Sequence, residues 1–168
     1  MAKNPQKLIQ GRYNVVPRTL ILIRENKMVL LQKGSATKKI WAGLYNGLGG
    51  HVERGEDLLT SAKRELCEEA GITCDDLKMV GSVMIDVDGT QGILMCVFSG
   101  KRPTGEIRAS EEGPVEWVEE ENVSSLPVVE DIPLILNLLK EQAEGQLFFG
   151  HYSYDVSGKL EANFSLQE

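Results

Sequence analysis

The sequence predicts an α+β protein in which a mixed β-sheet is sandwiched between α-helices. β-prone runs alternate with two amphipathic helical segments, in the order strands, helix, strands, helix, strands. The 168 residues, of which 42% are hydrophobic and 26% charged, are sufficient for one ordinary domain with its own core. We therefore expect residues 1–13 to form a flexible polar arm and residues 14–168 to form a single domain.

Three pairs of strands are predicted, and a short polar turn joins the two members of each pair. Their predicted bounds are 19–24 with 28–32, 77–87 with 92–98, and 146–154 with 160–165. A further short strand is predicted at 114–118. Three glycines within 45–52 predict a tight bend at which the backbone closely approaches another group.

Two helices are predicted from apolar residues that recur at helical spacing. The first covers residues 58–70, with Glu56 or Asp57 as its N-cap and Gly71 at the position of a left-handed C-terminal residue. The second covers residues 131–142. The sheet and these two helices are the elements that must position any functional side chains.

Charge and cysteine content argue against several classes of protein. Lys plus Arg is 18 and Asp plus Glu is 25, which gives a net charge of −7 and argues against binding to nucleic acid polymers or anionic membranes. The 3 cysteines form no CxxC pair, so neither a disulfide framework nor a zinc site is predicted. The N-terminal sequence has no signal-peptide pattern and the apolar runs are short. We expect a cytoplasmic protein.

Three glutamates in the first predicted helix indicate a metal site. Glu65, Glu68 and Glu69 stand at i, i+3 and i+4, which places them on one helix face. Like charges at this spacing repel, and clustered carboxylate oxygens suit Mg²⁺, or Mn²⁺ in its place. Magnesium in proteins usually binds one or two carboxylates together with substrate phosphates, so the pattern predicts a phosphorylated ligand. The alternative interpretation is a solvated helix face.

Two further features near these glutamates fit a metal site. Gly49 and Gly50 leave the backbone free to bring a carbonyl group to the metal. Arg64 directly precedes Glu65 and can fix a carboxylate in one orientation through a bidentate contact.

Residues 50–72 resemble the Nudix box, G-x5-E-x7-R-E-U-x-E-E-x-G-U, in which U is a bulky aliphatic residue. Every defined position is matched, by Gly50, Glu56, Arg64, Glu65, Leu66, Glu68, Glu69, Gly71 and Ile72. The resemblance implies the Nudix fold and hydrolysis of a nucleoside diphosphate linked to another group. In such a reaction water attacks a phosphorus atom and metal ions neutralise the developing charge.

The resemblance also implies roles for the residues of the box. Glu65, Glu68 and Glu69 would coordinate the metal together with the carbonyl group of Gly49. Arg64 would orient Glu65.

The resemblance implies two further roles outside these metal ligands. Glu56 would support the loop that precedes the first helix, and a glutamate from another loop would complete the metal site. Glu112 is the best candidate, because Glu112-x4-Trp117 resembles the spacing in one branch of the family, and Glu111 is the alternative. The general base remains open among Glu53, Glu68, Glu69 and Glu112.

Residues 45–51, YNGLGGH, resemble the W-N-G-x-G-G segment of the MutT-like enzymes that hydrolyse oxidised purine nucleoside triphosphates. The resemblance implies that Asn46 contacts the base and that Gly50 contributes to the substrate site. Glu130 and Asp131 fall where mammalian members of this branch carry two acids that contact the purine. Alternatively, Asn46 satisfies turn backbone, and Glu130 or Asp131 caps the second helix.

This sequence departs from the MutT-like pattern at three positions. Tyr45 replaces the first tryptophan of the segment, Val128 replaces a stacking tryptophan, and Glu130 replaces an aspartate. Stacking on the base would then come from another residue, such as Tyr45 or Phe148.

The expected function is Mg²⁺-dependent hydrolysis of a nucleoside triphosphate to the monophosphate and pyrophosphate. The favoured substrate is an oxidised purine nucleotide such as 8-oxo-dGTP, and the expected state is a monomer or homodimer. The alternatives are an ADP-ribose or sugar-nucleotide diphosphatase, a dinucleoside polyphosphate hydrolase, and a catalytically silent nucleotide-binding Nudix domain. Every box glutamate is present, which favours catalysis.

Overall fold

The computed structural model describes residues 11–36 and 40–167, so residues 1–10 of the expected arm lie outside the described residues. The described chain forms ten strands, two α-helices and a short 3₁₀ turn. The strands are β1 (Asn14–Glu25), β2 (Met28–Lys33), β3 (Tyr45–Asn46), β4 (Ile72–Cys74), β5 (Lys78–Asp86), β6 (Gln91–Gly100), β7 (Pro103–Gly105), β8 (Val115–Glu119), β9 (Phe148–Tyr154) and β10 (Leu160–Leu166). The helices are α1 (Leu58–Ala70) and α2 (Ile132–Glu141).

The main sheet has the strand order β10-β9-β5-β6-β1-β2-β3, and β8 also pairs with β2. β1 is parallel to β6 and β5 is parallel to β9, whereas the other pairs of this sheet are antiparallel, so the sheet is mixed. The three predicted strand pairs are confirmed as β1 with β2, β5 with β6, and β9 with β10.

The two helices cover opposite faces of the sheet. Alternate residues of β1 point to opposite sides, so Ile21 packs in one core cluster with Leu66 of α1, and Leu22 packs in the other with Ile135 of α2. All four side chains are fully buried, and each contributes about 1.5–3 kcal/mol through burial. The predicted fold class, a mixed sheet between helices, is confirmed.

The ends of α1 are fixed by residues at its two termini. Asp57 is the N-cap and accepts a hydrogen bond from the Thr60 backbone N–H at 2.9 Å, so Asp57 rather than Glu56 caps the helix. Gly71 adopts a left-handed φ of 71° and donates its N–H to the Cys67 carbonyl. These ends set the rotation of α1, which turns Leu66 into the core.

The structure differs from the sequence prediction at β1 and at a small second sheet. β1 begins at Asn14, five residues earlier than residue 19, because its first half pairs with β6 rather than with the neighbouring β2. β4 and β7 form a separate two-stranded sheet that was not predicted. At the end of the expected arm, the Tyr13 hydroxyl donates to Asp86 at 2.8 Å.

Neither helix in the described part of the chain combines the length and apolar character needed to cross a lipid bilayer. Cys67, Cys74 and Cys96 are all free thiols.

Candidate active site

The loop between β3 and α1 runs beside β1 and brings the first glycines of the box to α1. The Thr19 N–H donates to the Gly50 carbonyl at 2.9 Å. Gly49 has a φ of 128°, and a Cβ atom there would lie 2.2 Å from the Thr19 carbonyl oxygen. A Cβ atom on Gly50 would lie 2.5 Å from Oε1 of Glu65. Side chains larger than hydrogen are therefore excluded where the loop approaches both β1 and the acidic face of α1.

Arg64 joins the loop to three carboxylates. Its Nε and Nη2 atoms donate to the two oxygens of Glu56 at 2.7 and 3.1 Å. Its Nη1 atom donates to Glu65 at 2.9 Å and to Glu68 at 3.0 Å, and Nη2 also donates to the His51 carbonyl. The bidentate contact is thus with Glu56, and Glu65 receives a single hydrogen bond. The Arg64 guanidinium lowers the pKa of Glu56 to about 2.

Glu56 also contacts its own loop. Its Oε2 atom accepts the Glu53 backbone N–H at 3.0 Å. The carboxylate therefore connects the loop to Arg64 on α1, which is the position expected for a loop-supporting residue.

Glu69 is the most buried carboxylate of the cluster, with an exposed fraction of 5%. It accepts the Gly49 N–H at 2.7 Å, and it hydrogen-bonds Glu112, whose charge also reaches Glu65. Burial raises the pKa of Glu69 strongly, and the nearby Glu112 and Glu65 raise it further. Burial also raises the pKa of Glu65, although Arg64 opposes this effect. The loop glutamate chosen from sequence spacing, Glu112, therefore lies against the helix cluster.

This donor set suits a hard divalent cation. The charge of Glu112 raises the pKa values of both Glu65 and Glu69, and a cation bound near these carboxylates would relieve the repulsion. In the described part of the chain, no three acidic, histidine or cysteine side chains already converge as in a filled metal site. The Glu68 side chain is 60% exposed, and its carboxylate accepts a hydrogen bond from Arg64.

A cleft of about 730 Å³ opens beside the box loop. Its walls come from β1, the β3 loop, β5, the residues before α2, and β9. Among the lining residues are all four predicted substrate contacts and one cation: Asn46, Gly50, Glu130, Asp131 and Arg18. The cleft therefore brings together residues that are more than eighty positions apart in sequence.

The sequence left open two other roles for the predicted base contacts, turn backbone for Asn46 and helix capping for Glu130 or Asp131. Asn46 lines the cleft and its Oδ1 atom also accepts the Gly47 N–H at 2.8 Å, so it does satisfy turn backbone. Asp131 occupies the N-cap position of α2, but its side chain makes no capping hydrogen bond. Burial raises the pKa of Asp131 to about 6, and the charge of Glu130 adds to the shift. The backbone N–H groups of Asp131 and Ile132 at the start of α2 oppose this rise in pKa.

The prediction that Tyr45 or Phe148 stacks on the base is wrong. Tyr45 is buried and its hydroxyl donates to Glu116, and Phe148 is fully buried in the core, so neither lines the cleft. The reason is that both side chains point into the packed interior. Among the described residues, the aromatic side chains that line the cleft are Trp41, Tyr152 and Tyr154.

Sequence reasoning missed two residues of the cleft wall. Arg18 is the only Lys or Arg side chain that lines the cleft in the described ranges, and its Nε atom donates to Nε2 of His51 at 3.1 Å. Its only sequence signal is its position at the start of a predicted strand. Tyr152 lies in the predicted strand 146–154, and the strand pattern indicated no role for its side chain.

An acidic cluster beside a cleft lined by polar groups is an arrangement that a hydrolase of phosphorylated ligands can use. The comparison with known families is specific: residues 15–138 match the NUDIX domain. The chain therefore belongs to the Nudix family, whose members use divalent metal ions, and it is a hydrolase of phosphoanhydride bonds in nucleotides.

Similar proteins support the MutT-like resemblance. The oxidized purine nucleoside triphosphate hydrolase of Mus musculus is 30% identical over 151 residues, which cover 89% of this chain and 93% of that protein. The NAD-capped RNA hydrolase NudC of Mannheimia succiniciproducens is 33% identical over 100 residues, which cover 58% of this chain and 36% of that protein. A mutator MutT protein from Bacillus halodurans has the same fold, with a TM-score of 0.75, 24% identity, and coverage of 90% of this chain and 97% of that chain.

Proposed function

We propose that this protein hydrolyses a nucleoside triphosphate, and specifically an oxidised purine nucleotide such as 8-oxo-dGTP, to the monophosphate and pyrophosphate. Mg²⁺ is the proposed metal, and Mn²⁺ can take its place. The observation that carries the proposal is that one cleft is lined both by the predicted base contacts Asn46, Glu130 and Asp131 and by the glycines of the box. The relative from Mus musculus, named for this activity, supports it.

The size of the cleft suits one nucleotide. Its volume of about 730 Å³ lies in the range of roughly 300–1,000 Å³ that small-molecule sites occupy. The base would lie toward Glu130 and Asp131, and the phosphates toward Gly49 and Gly50. Arg18 lines the same cleft and supplies a positive charge to a ligand that carries several negative ones.

The base end has the chemistry to distinguish an oxidised purine. Oxidation of guanine at position 8 places a proton on the ring nitrogen at position 7, so a hydrogen-bond acceptor becomes a donor. An ionised Asp131 accepts a hydrogen bond from such a donor and is left unpaired by the normal base. Because a buried acceptor without a partner is costly, this arrangement favours the oxidised base.

The box end positions the phosphates and the metal ligands. Arg64 holds Glu56, Glu65 and Glu68 relative to one another, which limits the movement of the carboxylates that would hold the metal. The proposed ligands are the carboxylates of Glu65, Glu68, Glu69 and Glu112 and the carbonyl group of Gly49. When bound, the divalent cation neutralises charge on the phosphate oxygens and makes a bound water more acidic.

We further propose that residues 14–168 act as one catalytic domain, because β9 pairs with β5 and so joins the C-terminal hairpin to the sheet that carries the box. The proposed partner is a free nucleotide rather than a nucleic acid polymer or a membrane. A cytoplasmic monomer or homodimer would meet such a substrate in the nucleotide pool.

The test is a substrate panel with purified protein and Mg²⁺, in which pyrophosphate and monophosphate are both measured. We expect 8-oxo-dGTP to have the highest kcat/KM among 8-oxo-dGTP, the normal deoxynucleoside triphosphates, ADP-ribose and a dinucleoside polyphosphate. Chelation of the metal should abolish product formation, and Mn²⁺ should restore it. Release of inorganic phosphate instead of pyrophosphate, or a clear preference for ADP-ribose, would contradict the proposal.

A further inference from the structure

Tyr152 is held firmly in the wall of the cleft. It lies in β9, opposite Ile85 of β5 and Ala162 of β10, and its exposed fraction is 1%. Its ring packs edge-on against Phe164, with ring centroids 5.7 Å apart and an interplanar angle of 89°. The two neighbouring strands and the Phe164 ring orient the Tyr152 ring within the sheet.

The Tyr152 hydroxyl has no hydrogen-bond partner among the described residues, although it is fully buried. Most buried tyrosine hydroxyls in folded proteins have a partner, because an unpaired buried O–H destabilises the protein. Tyr152 lines the cleft together with Asp131 and Tyr154, and these two residues are its charged and polar neighbours. An unpaired donor that lines a ligand cleft beside a carboxyl group indicates a partner on the ligand.

We propose that the Tyr152 hydroxyl is a specificity-determining group that donates a hydrogen bond to a carbonyl oxygen of the bound purine. In this arrangement Asp131 accepts a hydrogen bond from the adjacent ring N–H of the same base. The inference rests on the proposed function, because it requires a purine base in the cleft.

The chemistry of the two groups is complementary. Burial raises the pKa of the Tyr152 hydroxyl far above its ordinary value, and Asp131 adds to the shift, so the hydroxyl keeps its proton. Ionised carboxylates only accept hydrogen bonds, so Glu130 and Asp131 alone cannot recognise an acceptor on the base. 8-Oxoguanine presents carbonyl oxygens beside ring N–H groups, whereas adenine carries an amino group in place of the 6-carbonyl. The hydroxyl therefore favours oxo-purines over amino-purines.

The experiment removes this hydroxyl alone, by Tyr152→Phe, in the full-length protein. We expect the ratio of kcat/KM for 8-oxo-dGTP to kcat/KM for dATP to fall fivefold or more, which is the size of effect that one neutral hydrogen bond supplies. We expect the unfolding midpoint of the ligand-free protein to stay the same or rise, because the substitution removes an unpaired buried group. A hydroxyl with a structural role would give the opposite change in midpoint.

Tyr13→Phe is the matched control. The Tyr13 hydroxyl donates to Asp86 at 2.8 Å and Tyr13 does not line the cleft, so the same chemical change there should alter the substrate ratio less than twofold. Its unfolding midpoint should not rise, because the hydroxyl that it loses has a partner.

A second measurement does not depend on turnover. The monophosphate 8-oxo-dGMP should raise the unfolding midpoint of the wild-type protein more than that of Tyr152→Phe. A substrate ratio that changes less than fivefold, an equal ligand-induced shift in both proteins, or a fall in midpoint with an equal loss on every substrate would each overturn the inference. If wild-type protein binds the monophosphate but does not hydrolyse 8-oxo-dGTP, the proposed function fails, while the ligand-induced shift still tests Tyr152.

Discussion

The acidic cluster beside the cleft and the polar residues that line the cleft come from different parts of the sequence. We call the region of Glu56, Arg64, Glu65, Glu68 and Glu69 the box end. Its residues lie within fourteen positions of one another, most of them on α1, and one guanidinium contacts three carboxylates. This end is already held together by its own hydrogen bonds before any ligand binds.

The base end consists of Asn46, Glu130, Asp131 and Tyr152, and it has the opposite character. These residues come from β3, from the residues before α2, and from β9. Asp131 makes no capping hydrogen bond, and the Tyr152 hydroxyl has no partner among the described residues. The Asp131 carboxyl and the Tyr152 hydroxyl thus make fewer hydrogen bonds than the carboxylates of the box end, so substrate preference should change more easily than the chemistry of hydrolysis.

The largest expected effect comes from a carboxylate of the box end. Glu65→Gln keeps the size of the side chain and removes its charge, so kcat/KM should fall by roughly 100-fold or more for every substrate of the panel. Burial raises the pKa of Glu65, so its charge is not a source of stability, and the unfolding midpoint should not fall. Steady-state kinetics and thermal unfolding, each with and without Mg²⁺, measure both effects.

Glu141→Gln serves as the control, because Glu141 is exposed at the end of α2. It should retain activity within about twofold, as expected for an exposed charge remote from the site. If Glu65→Gln and the corresponding Glu68→Gln both keep wild-type activity, the assignment of the metal ligands to α1 is wrong.

A smaller loss of activity is expected when Arg64 is replaced by lysine, which keeps the positive charge but cannot keep the arrangement of its hydrogen bonds. In Arg64→Lys, one ammonium group cannot contact both oxygens of Glu56 and also Glu65, so the carboxylates should lose their fixed arrangement. We expect kcat/KM to fall about 10–100-fold, mostly through kcat, together with a lower unfolding midpoint. Kinetics at saturating Mg²⁺ separate this effect from weakened metal binding.

The chain offers a matched control for this substitution. Arg24 makes a bidentate contact with Glu120 at 2.7 and 3.0 Å, and neither residue lines the cleft. Arg24→Lys should therefore lower the unfolding midpoint without a comparable loss of kcat/KM. Equal losses of activity in the two variants would indicate that Arg64 acts only through general stability.

The box end could be predicted from sequence because its signals are local. Helical spacing, an acidic N-cap and a terminal glycine define α1, and the spacing of the glutamates then places them on one face. The bidentate partner of Arg64 could not be predicted, because Glu56 lies eight residues earlier, in a loop whose path depends on pairing with β1.

The base end could be predicted only in part. Asn46, Glu130 and Asp131 were proposed from the resemblance, but the aromatic residues of the cleft were not predicted, because the place of an inward-facing residue along the sheet depends on how distant strands pair. Tyr152 and Phe148 both lie on β9, and only Tyr152 reaches the cleft. The same dependence on distant partners explains why the start of β1, which pairs with β6, was missed.

A still smaller loss of activity than in Glu65→Gln or Arg64→Lys is expected at the base end, with Asp131→Asn. Kinetically, we expect about a tenfold loss of kcat/KM for 8-oxo-dGTP, because asparagine still offers one acceptor oxygen, and much smaller losses for normal nucleotides. Stability should change in the opposite direction. The folded protein holds the Asp131 carboxyl at a pKa of about 6, above its ordinary value of 3.8, so folding becomes less favourable as the carboxyl ionises.

The direction of the Asp131 pKa shift predicts how the free energy of unfolding depends on pH. Between about pH 4 and pH 6 the folded state binds the Asp131 proton more tightly than the unfolded state, so the stability contributed by this proton is lost as pH rises through that window. Asp131→Asn carries no such proton, so its stability relative to wild type should be about equal near pH 4 and about 2–3 kcal/mol greater above pH 7. Urea unfolding of both proteins across this range measures the difference. A difference that does not vary with pH would mean that Asp131 is solvated in the free protein, and the contrast between the box end and the base end would then rest on Tyr152 alone.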